Sequence, residues 1–153
     1  MNAITLLKRD HDTLKGLLRD LESTTERGVK TRTELFARIK QELTVHEAIE
    51  EEIFYPTLKQ HPPAREIVLE GYEEHHVVDT LMGELEALPV DDETWGAKAS
   101  VMIENVEHHI EEEETDMFPK ARQVFDEQEL KELGDVMAER KAELLPAARA
   151  GRI

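Results

Sequence analysis

Two stretches of this chain repeat each other, and the repeat makes sense only on a helix. The first runs from His46 to Pro56 (HEAIEEEIFYP) and the second from His109 to Pro119 (HIEEEETDMFP). In each, a His is followed four residues later by a Glu, then by acidic residues, an aromatic and a Pro at the same distance from the His. On an α-helix, residues four apart sit about 40° apart around the axis and about 6 Å apart along it, so both side chains reach one point beside the helix. Two copies are too few for a solenoid, which needs at least three, and read instead as a duplicated helical hairpin.

The apolar residues between and around the copies follow the same period. Ile4, Leu7, Leu14, Leu18 and Leu21 mark a helix over about 2–26, and Phe36, Ile39, Leu43, Ile49 and Ile53 a second over about 31–59. Pro62 and Pro63 end one element and open the next. A third helix, about 64–88, carries Val68, Val78, Met82 and Leu85, and a fourth, about 93–124, carries Ala99, Met102 and Val106. Asp126 followed by Glu129 has the form of a capping box and starts a shorter fifth helix, about 127–145, which Pro146 ends. The expected fold is all-α: an up-down-up-down four-helix bundle over 1–124, with a C-terminal capping helix and tail over 125–153.

Composition excludes several functions. The net charge is −16 and the pI near 4.8, which disfavours nucleic acid and anionic membranes and suits a protein that collects cations. There is no cysteine, so disulfides, thiolate catalysis and Cys-ligated metal sites are out. No apolar run approaches the ~20 residues of a membrane span, and no signal-peptide core opens the chain. A cytoplasmic location is the expectation.

Periodicity also decides which His residues face inward. From His11, offsets of three, seven and ten give Leu14, Leu18 and Leu21; from His75 they give Val78, Met82 and Leu85. From His76 they give Asp79, Gly83 and Glu86, a solvent face. Three and seven residues before His109 lie Val106 and Met102, matching Leu43 and Ile39 before His46. The inward set is His11, His46, Glu50, His75, His109 and Glu113, one His from each helix and a Glu from two. Imidazoles and carboxylates buried without partners cost several kcal/mol, so a shared metal is the expected partner. By the same reading His61, His76 and His108 are loop or solvent residues. The remaining acidic residues of Glu50-Glu51-Glu52 and Glu111–Glu114 are solvated. Phe36, Phe54, Phe118, Met82, Met102 and Trp95 are packing residues.

The order H…HxxxE…H…HxxxE, with Pro closing each HxxxE segment and Glu73-Glu74-His75 before the third ligand, resembles the hemerythrin-like HHE cation-binding domains over nearly the whole chain through Pro119. The resemblance implies a non-haem di-iron centre with an oxo or hydroxo bridge, His terminal ligands and bridging carboxylates. Oxygen-carrying hemerythrins add a further His and use an Asp in the last motif. Here Gly71 and Asp79 flank His75 at four residues on either side, and neither supplies an imidazole. Of the roughly twelve positions around two octahedral irons, about two are then left open. Tyr72, one turn before His75, is the candidate for that space. Zinc is the alternative metal, although six ligands exceed what one tetrahedral zinc needs.

The expected function is binding of, or reaction with, a small diatomic or peroxide ligand: oxygen, nitric oxide or hydrogen peroxide, with catalase-like peroxide decomposition as the candidate activity. The alternative is a non-catalytic module for iron or oxygen sensing or iron storage. The fifth helix, with Leu130, Leu133, Val136 and Met137, is expected to cap the bundle or to dock a partner or a second copy.

Overall fold

A computed structural model describes residues 1–153 and contains helices and no strand. The first helix, α1 (Ala3–Glu22), begins at Asn2, whose side chain accepts from the Thr5 amide at 2.8 Å. α2 (Val29–Ile49) runs through a π turn (Glu50–Phe54) into α3 (Tyr55–Lys59). α4 (Pro62–Glu86) returns, and α5 (Trp95–Glu112) runs through a second π turn (Glu113–Met117) into α6 (Phe118–Val124). These elements make the four-helix bundle, with α1 packed on α2 and α4 on α5.

The two Pro residues of the repeat do not close their helices. Pro56 and Pro119 lie inside the continued helices, just after the π turns. Proline has no N–H, and its ring collides with the carbonyl four residues back. Widening the preceding turn to i→i+5 bonding relieves that clash while the helix continues. Both π turns begin at the repeat's Glu: the Tyr55 amide donates to the Glu50 carbonyl, and the Phe118 amide to the Glu113 carbonyl.

The last helix, α7 (Glu127–Arg149), is 23 residues long rather than short, and Pro146 sits within its final turn instead of ending it. The capping box forms as expected, with the Glu129 amide donating to Asp126 Oδ1 at 2.8 Å. α7 lies along α1 and α2. Leu130 and Met137 are buried against the bundle, whereas Val136 faces solvent. The N-terminal backbone crosses α7 so closely that a Cβ on Gly134 would fall 2.2 Å from the Met1 carbonyl oxygen.

The core divides in two. One apolar cluster contains Leu7, Ile49, Phe54, Tyr55, Val68, Phe118 and Met137; the other contains Leu14, Leu18, Leu43, Val78, Trp95 and Val106. In α1 the break between them falls at His11, and in α4 at His75. A buried polar layer therefore crosses the bundle between two oily ones.

Candidate metal centre

That layer consists of His11, His46, Glu50, His75, His109 and Glu113, each no more than 6% exposed. The structure brings together all six residues singled out by periodicity, and leaves His76 and His108 on the surface. The imidazoles fall into pairs by hairpin. His11 and His46, from α1 and α2, have ring centroids 5.0 Å apart; His75 and His109, from α4 and α5, are 4.8 Å apart.

Two carboxylates stand between the pairs. Glu113 Oε1 lies 3.0 Å from His11 Nε2, and its Oε2 lies 3.3 Å from His109 Nε2, so one carboxylate touches both halves. Glu50 Oε1 is 3.2 Å from the Nε2 of both His46 and His75. The donor atoms of Glu50, His75, His109 and Glu113 lie within 4.8 Å of one another, as do those of His11, His46 and Glu113.

Protein groups alone do not satisfy this cluster. His46 Nε2 and both oxygens of Glu50 are buried without a hydrogen bond, since the 3.2 Å contact between them is poorly aligned. His75 Nε2 and His109 Nε2 approach to 3.2 Å. Four imidazole nitrogens aimed at one another and at two carboxylates form a donor set suited to metal binding, and orphaned buried polar atoms are otherwise rare.

Each imidazole is oriented from behind. His11 Nδ1 faces Glu114 Oε2 at 2.7 Å, His46 Nδ1 faces Asp10 Oδ2 at 2.9 Å, His75 Nδ1 faces Glu51 Oε2 at 3.2 Å, and His109 Nδ1 faces Glu74 Oε1 at 2.7 Å. Such partners fix the tautomer and direct Nε2 inward. Two residues read from the sequence as solvated, Glu51 and Glu114, thus have structural work at the centre. Asp10 and Glu74 each lie next in sequence to an inward His, the signal that could have found them.

The cluster shifts its own protonation. Burial alone would lower His75, yet the carboxylates of Glu50 and Glu51, each 3.2 Å from one of its ring nitrogens, push it up to about 10. His46 and His109 also rise against the effect of burial, driven first by the charges of Glu50 and Glu113 respectively. Glu113, which burial would raise, is held well below the usual carboxylate range by the His109 charge and by hydrogen bonds. In the metal-free state protons therefore occupy His46, His75 and His109. Glu47, beside His46, is buried and pushed up to about 9, chiefly by desolvation.

The phenol at the centre is Tyr55, not Tyr72. Tyr55 is fully buried, and its hydroxyl donates to Glu113 Oε2 at 2.5 Å and lies 3.4 Å from both His75 Nε2 and His109 Nε2. Burial, with the charges of Glu113 and Glu50, raises its pKa far enough to keep the proton in place. Tyr72 packs edge-on against Tyr55 instead, with ring centroids 5.1 Å apart. Gly71 makes the room, because a Cβ there would lie 2.9 Å from the Tyr55 hydroxyl oxygen. In an unbroken α-helix Tyr55, nine residues after His46, would point to the opposite side. The π turn carries it round to stand over Glu50, which spacing rules built on 3.6 residues miss.

A four-helix bundle with a buried His and carboxylate layer of this order defines a metal-binding hemerythrin-like protein. The chain belongs to the hemerythrin HHE cation-binding domain family, whose profile matches residues 2–121. It is 35% identical over 148 residues to the uncharacterized proteins Rv2633c of Mycobacterium tuberculosis and Mb2666c of Mycobacterium bovis, covering 94% of this chain and 88% of each relative. Its fold matches the crystal structure of a hemerythrin HHE cation binding domain-containing protein, the Rv2633c homolog from Mycobacterium kansasii. The TM-score is 0.85 at 29% identity, over 96% of this chain and 89% of that one.

Proposed function

We propose that the layer holds two iron ions and that the protein binds or reacts with a small oxidant: oxygen, nitric oxide or hydrogen peroxide. The observation that carries this reading is Glu113, whose two oxygens face imidazoles of opposite halves. His11 and His46 would hold one ion, His75 and His109 the other, with Glu50 and Glu113 between them. A bound iron pair supplies ferrous–ferric electron exchange to such a ligand.

The chain's own residues set what can reach that pair. The pocket beside it, lined by Leu14, Leu43, Val78, Val106 and Ile110 with His46, Glu47, His75 and His109, is about 10 Å³, room for about one water-sized molecule. A substrate of more than a few atoms has no place to bind there. The apolar walls exclude bulk water, and Tyr55 holds a proton at its hydroxyl within reach of Glu113 Oε2. Peroxide disproportionation fits these constraints. A sensing or storage module is the second reading, favoured by the burial of all six ligands. The division into a bundle over 1–124 and a capping helix over 125–153 belongs to the same proposal.

Metal analysis of protein purified from iron-replete cells tests it. A pair of irons per chain, lost when Glu50 and Glu113 are both changed to Ala, is the expected result. A single ion, or none, overturns the binuclear reading. Peroxide decay by the iron-loaded protein, compared with His109→Ala, then separates turnover from binding.

A further inference from the structure

The four carboxylates behind the imidazoles are not equivalent. The side chains of Glu114, Glu51 and Glu74 are 26%, 39% and 24% exposed, so water screens their charge. That of Asp10 is 8% exposed. A carboxylate so removed from water needs a counter-charge and a full set of hydrogen bonds. Asp10 has both. Its Oδ2 faces His46 Nδ1 at 2.9 Å, and its Oδ1 accepts from Lys141 Nζ at 2.5 Å. Lys141 comes from α7, beyond the residues matched by the family.

We propose that Lys141 is a positioning residue for His46. Through Asp10 it fixes the rotation of that imidazole and the proton on its Nδ1, so the docking of the C-terminal helix sets the geometry of the His11/His46 half of the centre. The other half has no such tether, since Glu51 and Glu74 back its imidazoles from the solvent side. A neighbouring contact supplies the control. Arg140, also on α7, binds Glu52 through Nε at 2.7 Å and Nη2 at 3.3 Å without touching Asp10. If α7 mattered only as a lid, the two cations would be interchangeable.

The consequence for metal binding rests on the proposed centre, whereas the orientation of His46 does not, and the experiment keeps the two apart. Ring signals of ¹⁵N-labelled His are recorded on metal-free wild type, Lys141→Met, Lys141→Arg and Arg140→Met, and each protein is then titrated with cobalt(II). The expected result is that Lys141→Met shifts the His46 signals alone, that Lys141→Arg restores them, and that Arg140→Met leaves them in place. One of two cobalt ions should bind about tenfold more weakly in Lys141→Met, at the low end for loss of a group that orients a ligand. Unchanged His46 signals in Lys141→Met, or an equal shift in Arg140→Met, overturns the proposal. Wild type that takes up no cobalt overturns the metal centre, while the ring signals still decide the role of Lys141.

Discussion

The two hairpins place the same ligand types around the centre and differ in the ring stacked on one imidazole of each and in the residue one turn before it. Phe118, in the second repeat, stacks on His11 with ring centroids 5.8 Å apart; Tyr55, at the matching place in the first, stacks on His75 at 5.3 Å. One turn before His11 stands Leu7, fully buried, and one turn before His75 stands Gly71. On one side, then, a leucine accompanies a phenyl ring; on the other, an absent side chain accompanies a phenol. The duplicated frame supplies the cage, and the departure from duplication supplies the one hydroxyl that faces it. Chemistry in this fold is to be sought where the repeat fails.

Substitutions along that axis should have graded effects. Leu7→Ala empties a buried site in the apolar half and should cost about 2–5 kcal/mol in denaturant unfolding. Gly71→Ala drives a methyl group into the Tyr55 hydroxyl and should cost about 1–3 kcal/mol. It should also alter the absorption spectrum of the metal-loaded protein, which Leu7→Ala should leave alone if the hydroxyl is what distinguishes the halves. Tyr55→Phe makes the halves alike. It removes a buried donor from Glu113 at a cost of about 1–2 kcal/mol, with metal content retained and peroxide or nitric oxide reactivity changed.

Acidity sharpens the same comparison. The folded value of His75 is about 10, above the ordinary value of ~6.5. Its stabilising contribution to the metal-free protein is therefore complete below pH ~6.5 and lost as the pH rises through about 10. Melting temperatures of metal-free protein should fall across that window. Metal loading should release protons, detectable with an indicator in weak buffer, and tighten as the pH rises. The smallest effect belongs to His108→Ala: its imidazole is 65% exposed, and metal content and melting temperature should both stay near wild type.

Much of this was legible in the sequence. Residues such as Leu14 and Val78 beside His11 and His75 carry an unbroken period, so helix faces and all six inward polar residues followed from counting. Asp10, Glu51, Glu74 and Glu114 escaped because they approach the imidazoles from the outer side, where an acidic residue looks like any other on a chain of charge −16. Lys141 escaped because its partner lies on another helix, 131 residues away. Pro146 misled because a proline so near the helix end costs one backbone hydrogen bond and leaves only Ala147 to Arg149 to wind on after it, and Tyr55 because helical counting assumes the same rotation at every step.

The two π turns carry an implication for how such a centre is gained or lost. Each amounts to one residue more than a uniform helix of that span would use. Removing a single residue from 51–54 would let the Tyr55 amide bond the same Glu50 carbonyl in ordinary i→i+4 fashion, so everything from Tyr55 to Lys59 would keep nearly the same rotation and the phenol would stay over the cage. A deletion between His46 and Glu50 would instead turn those two side chains apart by about 100°. In this protein the π turns are thus the places where the chain can lose a residue and keep its centre, and relatives that differ in length there can still share it.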